Sequence, residues 1–453
     1  MKAEELKLKY NIAPDTGEDM TPRFQAFIDE EKEPYMQLKA GEYIFKGTLH
    51  IRADADPDST YGMLSIEGEG AKIKIESNLW INCQCRKGIN ERDISTVHLR
   101  DLEVTGPGAT VVESQSIVSI KYCNFHDLKT IARVSKEGFH TFKHLKINNV
   151  ETAFELSHMA QFATFDSITA EDIGTFLFLR ARTPVSTGIV VVRCHIKRSS
   201  KWAIDIDQGG GDTTYIYDSN FEECKGGVKL RASLFDKLWS CSFEKCETGI
   251  EWMGCVNGGH ISYSFFDECD KGVHMIGTGE CSIGDCIFQN NKLDVEVTSC
   301  RWLGFNNNIF GEHSFEWNGS NGRCKVWDCS FKGKEPAWPV LCEHWNNFED
   351  VDYLMRQTTF TEIDVPPVPI KRLGAGRFYK AEGNEFDGCG RGLTVIKGVK
   401  FEGESLRLRN LTLLDCEIDV KDLEIKDCVI RGKEVGFKAS GEVDIDGLYM
   451  VQV

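Results

Sequence analysis

Short runs in which apolar and polar residues alternate recur along the chain, broken by Gly, Asn or Asp; Val228-Lys229-Leu230-Arg231 is one such run. A period of two reads as a strand with one face buried. These runs belong to a repeat. Segments 219–230 (SNFEECKGGVKL), 241–252 (CSFEKCETGIEW) and 264–275 (SFFDECDKGVHM) share the pattern small-x-Phe-x-x-Cys-x-x-Gly-[Val/Ile]-x-apolar. The register extends outward through anchors at Val104, Phe125, Ile147, Ile168, Ile196, Phe221, Phe243, Phe266, Phe288, Phe310, Phe331, Phe360 and Phe386. Repeats of roughly twenty-two residues, built of strands and without a leucine-rich framework, predict an all-β fold. The fold expected is a single-stranded right-handed parallel β-helix, a solenoid in which equivalent residues of successive coils stack about 4.8 Å apart.

Stacking turns the repeat into columns. Two positions before the anchor stand Cys123, Cys194, Ser219, Cys241, Ser264, Cys286, Asn308, Cys329 and Asn384; three positions after it stand Cys224, Cys246, Cys269, Asn291 and Cys389. Small residues that mix Cys, Ser and Asn suit tight interior corners, where thiols act as small apolar groups and amides bond along the stack. Glycine six positions after the anchor (Gly227, Gly249, Gly272, Gly392) is expected to mark a turn. A helical stripe occurs at residues 21–32, TPRFQAFIDEEK, with Thr21 as N-cap, Pro22 in the first turn and Phe24, Phe27 and Ile28 on one face. It is assigned as the N-terminal capping helix, since a solenoid must cover its open ends. The organisation expected is a cap and first strand (1–50), the main solenoid (51–345), an irregular region (346–375) carrying the proline-rich DVPPVPIKR, and C-terminal coils or a strand-rich cap (376–453). Cys416-x-Ile418 and Cys428-x-Ile430 lie too close for successive coils and are expected to be successive strands.

Composition narrows the function classes. The formal net charge of the 453 residues is −17, spread along the chain. That argues against a nucleic-acid partner, which needs concentrated positive charge, and favours neutral or cationic ones. No apolar run is long enough for membrane insertion. The opening MKAEELKLKYNIAPDTG lacks the apolar core of a secretion signal, so synthesis in the cytoplasm without a signal peptide is expected. Of the 18 cysteines none forms a CxxC, and the closest pair is Cys83-x-Cys85; the columns account for most of them without metal.

Residues 14–51 carry the pattern D-x-G-x-D-x-T-x-x-[FI]-Q-x-[AF]-I followed by G-x-Y-x-[IF], on Asp15, Gly17, Asp19, Thr21, Phe24, Gln25, Ile28, Gly41, Tyr43 and Phe45. This resembles the opening of the pectate-lyase-like parallel β-helix superfamily, which includes phage tailspikes. Lys39 stands where that group usually has Pro. The resemblance implies a carbohydrate ligand such as a bacterial surface polysaccharide, a homo-oligomer of trimer type and a place on a virion tail. It does not choose among lyases, hydrolases, epimerases and binders.

The strand after the glycine offers a place for chemistry. Alternation points Glu155, Asp205, Lys229, Glu251, His274, Glu296 and Glu316 outward in one column, and Asp207 and Arg231 in a second. Asp205 and Glu251, two coils apart and so about 9.6 Å, match the separation of an inverting glycosidase pair, with Asp207 as a diagonal alternative to Asp205. Asp205, Asp207 and Glu251 are therefore the candidate catalytic residues, and Lys229, Arg231, His274 and Glu296 the candidate substrate-binding ones. No cofactor is expected from this arrangement. A lyase would instead use Arg231 or Lys229 as base, with a divalent cation held by Asp205 and Asp207. The competing reading is a solvated ladder of alternating charges on a non-catalytic structural or adhesion solenoid. Gly258-Gly259-His260 is read as a turn. Trp302, Trp338 and Trp345 are candidate sugar platforms, with Trp317 facing inward.

Overall fold

The computed structural model describes residues 1–31, 34–52, 63–84, 96–135, 138–157, 162–180, 188–207, 213–232, 235–254, 258–300, 303–311, 315–318, 324–327, 330–332, 341–342, 347–349, 378–387, 394–397, 400–409, 411–414, 417–431 and 437–451. Apart from two short N-terminal helices, the described elements are strands, and every strand pair with a resolved register is parallel. The fold is a parallel β-solenoid. The chain divides into two units, Met1–Ser233 and Leu234–Val453.

The first unit opens with helix α1 (Ala3–Tyr10), which the sequence pattern did not predict, and α2 (Thr21–Glu30). Tyr10 and Phe27 join the helices in an edge-on ring contact at 5.2 Å. Phe24 and Phe27 are buried and Ile28 is half-buried. Thr21 is not the N-cap. That place belongs to Met20, and the capping oxygen comes from Asp19, whose Oδ1 accepts from the Thr21 N–H (2.9 Å), the Thr21 hydroxyl (2.7 Å) and the Lys46 N–H (3.0 Å). Gln25 clamps His50 at both backbone groups, accepting at 2.8 Å and donating at 3.0 Å. Asp15 accepts from Glu42 N–H, and Gly41, at φ +126°, has no room for a Cβ beside Asp15 and Pro14. The opening motif thus fastens the cap to the first coil.

Beyond the cap the unit winds through strands β1 (Thr110–Ser114), β2 (Asn124–Val134), β3 (Lys146–Ser157), β4 (Thr169–Arg180), β5 (Trp202–Asp207) and β6 (Gly226–Arg231), which pair in that order. Register corrects one anchor. Ile147 pairs with Ala170, and Ala170 with Ile196, so the anchor of that coil is Ala170 and Ile168 lies two residues before it.

The second unit carries β7 (Thr248–Met253), β8 (Lys271–Ile276), β9 (Leu293–Thr298) and β10 (Phe315–Asn318), again in order. Phe243, Phe266, Phe288 and Phe310 form a continuous interior stack with centroids 5.0, 4.7 and 5.1 Å apart. Gly227, Gly249 and Gly272 are strand residues, not turns, and Gly392 lies outside the described residues. A Cβ on Gly249 would lie 3.0 Å from the Phe266 ring and one on Gly272 3.0 Å from the Phe288 ring, so their absence of a side chain admits the stack. Phe331 pairs with Phe348; Phe360 lies outside the described residues. Phe386 pairs with Leu408, and Leu408 with Ile425, in a separate five-stranded parallel sheet. Ile418 and Ile430 fall in different sheets, as strands of one coil.

The turns are left-handed at residues other than glycine. Tyr122, His144, Ser167, Arg193 and Asp218 form one such column in the first unit, and Asp127, Asn149, Asp172, Arg198 and Glu223 another, with φ of 46–57°. Tyr122, His144 and Ser167 each donate their backbone N–H to a carbonyl of the next coil at 2.9–3.0 Å, which holds a conformation that side chains disfavour. The small columns behave as the pattern implied. Eleven described cysteines are buried. Asn291 accepts from Cys269 N–H (2.9 Å) and donates to Phe266 O (3.1 Å) across coils.

Candidate functional site

In the first unit the outward column runs Glu113, Arg133, Glu155, Phe178, Asp205, Lys229, each in register with the next. Phe178 thus stands between Glu155 and Asp205, successive members of the outward column expected from sequence. A groove of about 490 Å³ opens here, lined by Thr152, Glu155, Thr175, Phe178, Lys201, Trp202, Asp205 and Lys225. One of its two aromatic members is locked. Trp202 pairs with Gly226, where a Cβ would come within 2.3 Å of the indole, so the ring lies against bare backbone. The Lys229 ammonium sits 5.1 Å from the same indole and the Arg180 guanidinium 5.0 Å from the Phe178 ring.

Charges on the groove are organised by arginine. Arg133 Nε donates to Glu155 at 2.8 Å and its Nη1 to Glu113 at 3.4 Å, and the hydrogen bond to Glu155 leads in raising the Arg133 pKa. Arg231 Nη2 lies 3.7 Å from Asp205 Oδ1, a buried oxygen without a hydrogen bond. Asp207 pairs in register with Arg180 and Arg231 and does not line the groove. Glu155 and Asp205 are separated by one intervening strand, about 9.6 Å at the usual spacing. A second hollow of about 740 Å³ adjoins at Lys201 and is lined by the left-handed Asp127, Asn149, Asp172 and Arg198 together with Glu151.

Glu251, His274 and Glu296 belong to the second unit, where they are register neighbours. His274 Nδ1 lies 3.8 Å from Glu251 and Nε2 3.6 Å from Glu296, while Lys271 Nζ reaches Glu296 at 2.5 Å. The side chains of all three retain 12–16% of their exposure, which describes a packed polar ladder. The structure therefore groups Asp205, Asp207, Lys229 and Arg231 in one unit and Glu251, His274 and Glu296 in the other.

Among the described residues no three His, Cys, Asp or Glu side chains converge as a metal site. The cation that a lyase would place on Asp205 and Asp207 would compete with Arg231, whose charge already faces Asp205. His260 opens a strand rather than a turn and bonds Ser282 Oγ through Nδ1 at 2.6 Å; burial leads in lowering its pKa. Trp302, Trp338 and Trp345 lie outside the described residues, as does the Trp317 side chain. Among the described residues no helix is long and apolar enough to cross a membrane.

Sequence reasoning missed Trp202, Phe178, Lys201 and Lys225. Phe178 had a signal: eight residues beyond the anchor lies the outward position in most coils, and Ala170 leads to Phe178, whereas Ile168 leads to the buried Phe176.

No protein-family model matches the chain, and no curated protein does. Solved structures match at low identity. Pre-mature bacteriophage phi29 gene product 12 aligns with a TM-score of 0.40 and 10% identity, over 100% of this chain and 72% of that one. Tailspike protein 3 of bacteriophage CBA120 gives 0.38 and 11%, over 92% and 61%. A mannuronic acid specific polysaccharide family 6 lyase from human gut microbiota gives 0.36 and 11%, over 77% and 90%. Likeness at this level says nothing about chemistry.

Proposed function

We propose that the protein recognises an extended polysaccharide in the Trp202 groove of its first unit. The observation that carries this reading is the indole fixed on Gly226 between carboxylates and hydroxyls. Trp202 supplies a rigid apolar plate for a sugar face, while Glu155, Asp205, Thr152 and Thr175 supply acceptors and donors for hydroxyl groups around it. Glu251, His274 and Glu296, packed against one another in register, make a structural ladder without an aromatic plate between them. The likeness of residues 14–51 to tailspike openings supports a bacterial surface polysaccharide as ligand and a virion tail as setting. Exposed Val443 and Ile445 support self-association, with a trimer as the proposed state.

A panel of bacterial capsules and O-antigens, immobilised and probed with the protein, tests the reading. Trp202→Ala is expected to abolish binding while leaving the circular dichroism spectrum unchanged. Equal binding by wild type and variant, or none by wild type to any glycan, overturns it. Light scattering reports the oligomer.

Cleavage is a second reading, favoured by one observation: Glu155 and Asp205 flank Phe178 at about the spacing of an inverting pair. Both carboxylates lie beside guanidinium groups, Glu155 against Arg133 at 2.8 Å and Asp205 against Arg231 at 3.7 Å. The hydrolytic reading predicts reducing-end release that stops in both Glu155→Gln and Asp205→Asn. Unchanged turnover in either variant removes that residue from the chemistry.

A further inference from the structure

Two lysines on the groove wall have no carboxylate partner among the described residues. Lys201 and Lys225 are exposed, and neither ammonium has a carboxylate within 4.0 Å among the described residues. Their surroundings differ from this. Lys197 pairs with Glu222 at 2.6 Å, Arg198 with Asp172 at 2.7 Å, Arg193 with Asp166 at 2.6 Å and Arg133 with Glu155 at 2.8 Å. The carboxylates that line the same groove already face arginines, Glu155 against Arg133 and Asp205 against Arg231. In the adjoining hollow Asp172 is held by Arg198, and Asp127 by His126 and Asn149, leaving Glu151 as the acid that shares that hollow with Lys201, while Lys225 lines only the Trp202 groove.

We infer that the groove is built for an anionic glycan, one whose carboxylate or sulfate groups reach Lys201 and Lys225 while a sugar ring lies on Trp202. This rests on the glycan reading above and sharpens it. The chain's charge of −17 argues for neutral or cationic partners at long range. Screening removes most of that repulsion beyond about 8 Å at physiological salt, so the charges lining the groove decide. Lysine suits the task because a flexible point charge tolerates variation in where the acidic group falls along a polymer.

The test uses the full chain and matched ligands: uronic-acid and sulfated oligosaccharides, each beside its carboxyl-reduced or desulfated neutral form, within an array that also holds neutral bacterial glycans. The expected result is binding confined to acidic members and weakened by salt. Lys201→Gln with Lys225→Gln should weaken it by roughly tenfold, since a half-open ion pair is worth about fivefold at most. Both side chains are exposed, so the fold should tolerate the change. Equal binding of acidic and neutral partners, binding confined to neutral glycans, or an unchanged affinity in the double variant overturns the inference and leaves the polysaccharide reading standing. No binding to any member, acidic or neutral, overturns both.

Discussion

Asp294 offers a test in which the sign is fixed before the measurement. It sits on β9, fully buried, with Oδ1 accepting from Asn291 Nδ2 at 2.9 Å and Oδ2 from the Gly311 N–H at 2.6 Å. Burial outweighs those two bonds and pushes its pKa up to about 7. The unfolded value is about 3.9. Between those two values the native carboxyl keeps its proton and the unfolded one has lost it, so unfolding releases a proton and stability falls as pH rises. The slope is at most about 1.4 kcal/mol per pH unit, and some three units give an upper limit of roughly 4 kcal/mol. Asp294→Asn removes the titration. It also sets an amide NH2 against one of the two donors, a penalty of about 1–3 kcal/mol that does not depend on pH. Urea unfolding of both proteins at several pH values from 4.5 to 7.5 isolates the effect, because every other group cancels in the difference. The margin by which wild type exceeds the variant should shrink steadily by about 2 kcal/mol or more over that range. A margin that stays flat, or grows with pH, refutes the reasoning.

Other perturbations probe the winding itself. Gly272→Ala puts a methyl 2.6 Å from the Asp294 carbonyl oxygen and 3.0 Å from the Phe288 ring, and should cost about 1–3 kcal/mol in urea unfolding. Gln25→Ala removes two bonds to the His50 backbone and should cost about 1–3 kcal/mol, read as earlier proteolysis within α2. The Cys123, Cys194 and Cys286 thiols are pushed up to about 12, burial leading in each case, so they should resist alkylation at pH 8 until urea unfolds the chain.

The winding was legible because its signal is repeated. Phe243, Phe266 and Phe288 mark the interior without ambiguity, and Cys241 and Cys286 confirm the corner. It failed where one coil departs from the pattern. Ala170 is too small to announce itself as an anchor, Ile168 took its place, and the error concealed Phe178. The outward residues were found by parity, which survives such slips, so Asp205 and Lys229 stand where alternation put them. Their partners were not legible. Glu155 is two strands from Asp205 in space and fifty residues away in the chain, and Trp202 acquires its role only because Gly226 leaves space for an indole in the next coil. Lys225 stands four after its anchor, where the next coils carry Glu247, Asp270 and Lys292, so its position was legible, but the isolation of Lys201 and Lys225 is a property of neighbours that sequence alone does not place. Helix α1 was missed because its apolar positions, Leu6 and Tyr10, are too few to make a stripe.

The left-handed corners have a further implication. Most proteins reserve that backbone shape for glycine or asparagine, so the amino acid there is dictated by geometry. Here Tyr122, Arg193 and Arg198 adopt it, and at Tyr122 and Arg193 a backbone N–H donates to a carbonyl of the adjoining coil. Shape is enforced by adjacency rather than by residue type, which frees the side chain at each corner to drift. Mutation can then redecorate the rim, one layer at a time, while the winding beneath it stays as it was.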